Sequence, residues 1–288
     1  MAGETTGAAA PTQAGAAVNF FVGTKDPFLD RAKQWADQLV TAVSKTGEKG
    51  LAVQLMVKDQ AALAAAITAA AAKAATEAGL TSKSLKPHLG GLPESTLVFL
   101  THGLDGDTDD AGGLLIFKGG VAKDRRELML FHLNLVVLEG STLVAGKNDK
   151  GEVIDPSVKK EPGDEFSNAE LLAQIQGWAK VLQAVRDATV WKRVVFAACG
   201  SSSQDPKAQP KLPRFAARFA KLVGKPVFFN RSPIWLEDVR PTFASVGKKS
   251  DDQSVAIESG TAFDGSGAVT LKSATDGFLP GAQVESKP

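Results

Sequence analysis

The sequence predicts an α/β protein built on a mostly parallel central sheet. Short apolar runs rich in β-branched and aromatic residues recur along the chain, separated by longer stretches with helical spacing. The first third reads strand, helix, strand, helix, strand, which implies parallel strands joined by right-handed crossovers. Two apolar runs stop abruptly at a reactive side chain followed by glycine: Thr96-Leu97-Val98-Phe99-Leu100-Thr101-His102-Gly103, and Arg193-Val194-Val195-Phe196-Ala197-Ala198-Cys199-Gly200. The carboxyl ends of strands form the usual functional edge of such a sheet. If both runs belong to one sheet, His102 and Cys199 emerge on the same edge.

Residues 1–17 are rich in Ala, Gly and Thr and are expected to form a disordered leader. They have no basic n-region and no continuous apolar run, unlike a standard signal peptide. Residues 18–288 are expected to form one domain, with an insertion at 104–166 and a C-terminal extension at 231–288. Val18 to Val22 is the first strand. Asp26 and Pro27 start a helix that carries Phe28, Ala32, Trp35, Leu39 and Val43 on one stripe. Leu51 to Val57 is the second strand, and Asp59 caps an alanine-rich helix running to about Ala78, with Leu63 and Ile67 inward. Within the insertion, Leu114 to Phe117 and Leu128 to Leu138 read as strands, and Gly146 to Gly163 as an exposed polar loop. Ser167 with Glu170 is a capping box. It opens a helix that turns Leu171, Leu172, Ile175, Trp178, Leu182 and Val185 to the core. Pro213 starts a short helix with Phe215, Phe219 and Leu222 inward, and Gly224 stops it. Pro226 to Asn230 is the next strand. Val255 to Ile257 and Ala268 to Leu271 form a terminal hairpin.

Basic and acidic residues nearly balance, 33 against 32. With no polybasic tract, neither nucleic acid nor an anionic membrane is an expected partner. No run approaches the ~18 apolar residues of a membrane span. The single cysteine excludes an intramolecular disulfide and suits a reducing compartment, so the expected location is cytoplasmic.

A lone cysteine is by default a buried core residue. Gly200 and the three serines after it instead place Cys199 at a strand end. A thiol nucleophile needs a base within reach, and imidazole suits because it titrates near neutrality. His102 is the matched partner. His88 follows a proline in a connecting loop, and His132 sits in an apolar segment and reads as structural. Neither has metal-ligand spacing with Cys199, so no metal is expected. Asp105, Asp107, Asp109 and Asp110 begin like a calcium loop. Ala111 and Gly112 break that pattern, position twelve is Ile116 rather than glutamate, and a solvated turn is the plainer reading. Gly103 to Gly113 also lacks the glycine pattern of a dinucleotide site, and no cofactor is expected.

An apolar strand ending His-Gly, followed by another ending Ala-Cys, resembles the caspase-like superfamily of cysteine peptidases. That superfamily includes caspases, metacaspases, legumain, clostripain and the CHAT domains. Here those motifs are Leu97 to Gly103 and Val194 to Cys199, and the resemblance covers roughly Val18 to Asn230. It implies a three-layer sandwich in which the histidine follows the third core strand and the cysteine the fourth. It implies a cysteine endopeptidase that cleaves protein or peptide substrates with a His102–Cys199 dyad through an acyl-enzyme. It assigns an oxyanion hole to the backbone N–H groups of Gly103 and Cys199, and glycine at 103 permits the close approach this needs. It lines the substrate pocket with Ala197, Asn230, Arg231 and Trp235.

The sequence departs from the family in two respects. The interval from His102 to Cys199 is long, and Ala197 stands where many family peptidases carry a polar residue. Ala197 offers nothing to a charged substrate side chain, and Arg231 would repel a basic one, so neutral, apolar or acidic side chains are expected in the pocket. Self-cleavage, where it occurs, is expected in the polar loops 146–163 or 201–210. Two other readings stay open. One is a caspase-like binding or scaffold domain with weak or no hydrolysis, which Ala197 favours. The other is an unrelated doubly wound protein with a ligand at the same edge. A sheet in which the His102 and Cys199 strands are not neighbours would eliminate the dyad.

Overall fold

The structure is a computed structural model that describes residues 17–23, 37, 41, 50–55, 59–77, 95–104, 112–115, 127–162, 164, 166–197, 212–230, 261–263, 269–271 and 283–286. In chain order the elements are β1 (Val18–Val22), β2 (Leu51–Leu55), α1 (Gln60–Thr76), β3 (Thr96–Leu100), β4 (His102–Leu104), β5 (Gly113–Leu115), β6 (Glu127–Met129), α2 (Leu130–Asn134), β7 (Val136–Glu139), β8 (Thr142–Ala145), α3 (Asn168–Asp187), β9 (Arg193–Ala197), α4 (Leu212–Val223), β10 (Val227–Asn230), β11 (Thr261–Phe263), β12 (Val269–Leu271) and β13 (Gln283–Ser286).

The protein is a mixed α/β structure. Its main sheet has the order β12-β11-β13-β10-β9-β3-β1-β2, and the run from β10 to β2 is parallel throughout. The strands are apolar on both sides because both faces are buried. Phe21, Leu97, Phe99, Val194 and Phe196 join one core cluster with Leu63, Ile67, Trp178, Leu182, Phe215 and Phe219 from the helices. On the opposite face Val18, Phe20, Val98, Leu100 and Val195 are equally inaccessible. Phe196 is the aromatic hub: its ring lies 5.0 Å from Phe219 in an edge-on contact, 5.6 Å from Phe215 and 6.1 Å from Phe99. Such pairs add about 0.5–1.5 kcal/mol each beyond area burial.

The helices start and stop where their sequences dictate. The Asp59 carboxylate accepts the Ala62 N–H at 2.8 Å and caps α1, whose buried stripe is Gln60, Leu63, Ile67 and Ala70. Ser167 and Glu170 cap each other's backbone at the start of α3. Ile175, Trp178, Leu182 and Val185 are buried as expected, while Leu171 and Leu172 are half-buried. At the end of α4, Gly224 takes a φ of 68° and donates its N–H to the Ala220 carbonyl at 2.8 Å, a left-handed stop that favours glycine. The helix expected from Asp26 is described only at Asp37 and Thr41, both helical, where the Thr41 hydroxyl donates to the Asp37 carbonyl.

Several expectations need correction. Leu128 to Leu138 is not one strand: the five-residue helix α2 interrupts it, so β6 and β7 serve different sheets. β7 and β8 pair as a hairpin across Gly140 and Ser141, with Gly140 at φ 62°. Ala17 does not belong to a leader: it is buried, its N–H donates to Ser95 Oγ at 2.9 Å, and its carbonyl accepts from Thr96. At the other end β12 pairs antiparallel with β11; Val255 to Ile257, the other half of the expected hairpin, lie outside the described residues. The unanticipated β13 runs antiparallel to β10 and carries β11 and β12 into the sheet. Residues 1–16 also lie outside the described residues.

Arg218 of α4 ties down part of the insertion. Arg218 donates to the carbonyls of Leu133 (3.1 Å) and Val136 (2.8 Å) and grips Asp149 through both terminal nitrogens (2.6 and 3.1 Å). The guanidinium holds the Asp149 carboxyl below the usual range. The exposed loop that carries Asp149 is thereby tied to the body.

The second sheet, β4-β5-β6, is tight at Gly113, where a Cβ would overlap the Leu128 carbonyl and backbone. Gly113→Ala is expected to cost about 1–3 kcal/mol as the strands are forced apart. The measurement is the urea midpoint of the variant against wild type, and an unchanged midpoint contradicts this packing.

Candidate active site at the carboxyl edge

β3 and β9 are direct parallel neighbours, with the register Thr96↔Arg193 through Leu100↔Ala197. The two strands therefore end level. His102 and Cys199 each lie two residues beyond that final pair. β10 ends at the same edge: Phe229 pairs with Phe196, and Asn230, like Ala197, is the next residue. The chain order reverses at β1, which has β2 on one side and β3 on the other. Open α/β sheets bind ligands at such a reversal, outside the carboxyl ends of the strands. There the Gly23 N–H reaches across to the Leu100 carbonyl at 3.2 Å.

The His-Gly pair does not continue β3, as an uninterrupted strand to Gly103 would require. The chain bends at buried Thr101 and enters the second sheet. There His102 pairs with Leu115, Gly103 with Leu114 and Leu104 with Gly113, all antiparallel. Backbone groups that run off the main sheet need new partners, and pairing with β5 supplies part of them. His102 and Gly103 are thus held by backbone pairing from a second sheet, and Gly103 is half-buried.

Of the other expected site residues, Cys199, Arg231 and Trp235 lie outside the described residues, as do His88 and Asp105, Asp107, Asp109 and Asp110. Among the described residues no group of three or more His, Cys, Asp or Glu side chains could hold a metal ion. No described helix is long and apolar enough to cross a membrane.

His132 has the structural environment its sequence context indicates. It is 2% exposed in α2, its Nδ1 accepts the Met129 N–H at 3.0 Å, and its Nε2 faces Gln174 Oε1 at 3.4 Å. This places the ring proton on Nε2. Gln174 was not anticipated. Its signal in the sequence is a polar residue beside the apolar stripe of α3, next to Ile175. Arg218 left no comparable signal, because its partners lie 69 to 85 residues away.

Burial pushes the His132 imidazole down to about 4, against the smaller opposing effect of Gln174. The folded value lies below the ordinary 6.5, so neutral His132 contributes stability that is complete above that value. It is lost as pH falls toward 4, and amounts to about 3 kcal/mol. An NMR titration should show the His132 ring neutral through pH 5.5, with urea stability falling over the same acidic window. A midpoint near 6.5 in the folded protein contradicts the burial. No protein-family model, curated protein or solved structure matches this chain.

Proposed function

We propose that the protein is a cysteine endopeptidase whose nucleophile is Cys199 and whose base is His102. One observation carries this reading: β3 and β9 pair side by side and end level, so both residues follow matched strand ends on one edge. The order β2-β1-β3-β9-β10, with apolar side chains buried on both faces, supports a three-layer caspase-like sandwich around that edge.

In this mechanism His102 takes the thiol proton as Cys199 attacks the scissile carbonyl, and returns it to the leaving amine. The backbone N–H groups of Gly103 and Cys199 face the developing oxyanion. The resulting thioester is hydrolysed by water activated by the same imidazole. Ala197, Asn230, Arg231 and Trp235 line the substrate pocket. No cofactor takes part, the substrates are proteins or peptides, and a reducing cytoplasm keeps the single thiol available.

The test is a fluorogenic peptide library together with an electrophilic thiol probe. Wild type is expected to cleave and to be labelled at Cys199. Cys199→Ala and His102→Ala are each expected to lower kcat/KM at least about a thousandfold with the fold retained. Hydrolysis that persists in a clean Cys199→Ala preparation excludes the mechanism. A wild-type protein inert to both library and probe instead favours a binding or scaffold domain.

A further inference from the structure

At the opposite, amino-terminal edge of the sheet lies a cavity of about 490 Å³. Its walls come from four places: Ser141 in the β7–β8 turn, Arg186 and Asp187 at the end of α3, Thr189 and Lys192 before β9, and Lys225 after α4. Three cations and two hydroxyls thus line one open space, against a single carboxylate. That carboxylate is engaged, since Asp187 Oδ1 accepts from Gln183 Nε2 at 2.8 Å. None of the three cations makes an ion pair with a carboxylate among the described residues.

Helix capping explains part of this cluster. Lys225 Nζ donates to the Arg186 carbonyl at 2.7 Å, and one Arg186 nitrogen to the Leu222 carbonyl at 2.9 Å. Cations belong at the carbonyl ends of helices. Capping does not account for Lys192, which is on neither helix, is exposed, and lines the same cavity. It leaves most of the Arg186 fork free to recognise an oxyanion in the plane of the guanidinium. The space is open to solvent on one side and admits a phosphate together with the small group that carries it.

We infer that this cavity binds a small ligand carrying a phosphate group, held by Arg186, Lys192 and Lys225 with the Ser141 and Thr189 hydroxyls. Lys225 supports this: burial, then Arg186 and Lys192, push its ammonium down to about 8, with Asp187 only partly offsetting them. A seated anion removes that repulsion. The site stands at the other edge of the sheet from His102, so it neither depends on the proposed peptidase activity nor competes for its substrate.

The experiment uses the full chain and inorganic pyrophosphate, with sodium chloride at matched ionic strength as control. Saturable binding by calorimetry and a rise in Tm beyond the chloride control are expected. Pyrophosphate should also protect exposed Lys192 from acetic anhydride, read by mass spectrometry. Lys192→Gln, at an exposed position, should weaken binding about tenfold or more, as loss of one charge-assisted contact does. Stabilisation no greater than that by chloride, labelling of Lys192 unaffected by pyrophosphate, or full affinity in Lys192→Gln overturns the proposal and leaves Arg186 and Lys225 as helix caps only.

Discussion

The backbone pairing of β3 with β9 is the constraint on which the rest of the molecule depends. Both strands have buried side chains on both faces, so neither can slip by one residue without moving a full set of apolar groups. Two buried polar contacts reinforce the alignment at its amino end. Arg193 Nε donates to Thr96 Oγ1 at 3.0 Å, and these two residues are themselves register partners. One strand further along, the Trp191 indole donates to Asn19 Oδ1, also at 3.0 Å. Leaving such a group without its partner costs about 1–3 kcal/mol, so these bonds favour one register over its neighbours.

That alignment has opposite consequences at its two edges. At the carboxyl edge the chain leaves β3 at Thr101 and hands His102 and Gly103 to a separate antiparallel sheet. The histidine segment therefore has backbone support of its own. At the amino edge the ends of α3 and α4 converge on the starts of β9 and β10. Lysine and arginine side chains answer the helix carbonyls there and accumulate around one cavity.

The insertion between β3 and α3 is no loose appendage where it is described. Arg218 binds two of its backbone carbonyls as well as Asp149. Gln183 of α3 accepts the Leu143 N–H at 2.8 Å and donates to the Ser141 carbonyl at 3.3 Å, pinning the β7–β8 hairpin. Through these two side chains, both helices that follow the insertion in sequence hold it against the core.

The sequence by itself determined the local elements. Continuous apolar runs marked β1, β3 and β9, period-3.6 apolar patterns marked α1, α3 and α4, and Asp59, Ser167, Glu170 and Gly224 marked helix ends, because runs, periodicity and caps act over a few residues. It also singled out His102 and Cys199, which lie two residues past the last paired residues of β3 and β9 in sequence. It did not anticipate the bend at Thr101, the short helix within Leu128 to Leu138, or β13, whose Gln283-Val284-Glu285-Ser286 carries little apolar signal and becomes a strand by pairing with β10. Only the tertiary structure decided that β3 and β9 are neighbours, that Arg218 closes on Asp149, and that Arg186, Lys192 and Lys225 share one cavity. Each joins residues far apart in the chain, and strand adjacency and charge convergence are settled by which buried surfaces pack together, a choice that no short stretch of sequence contains.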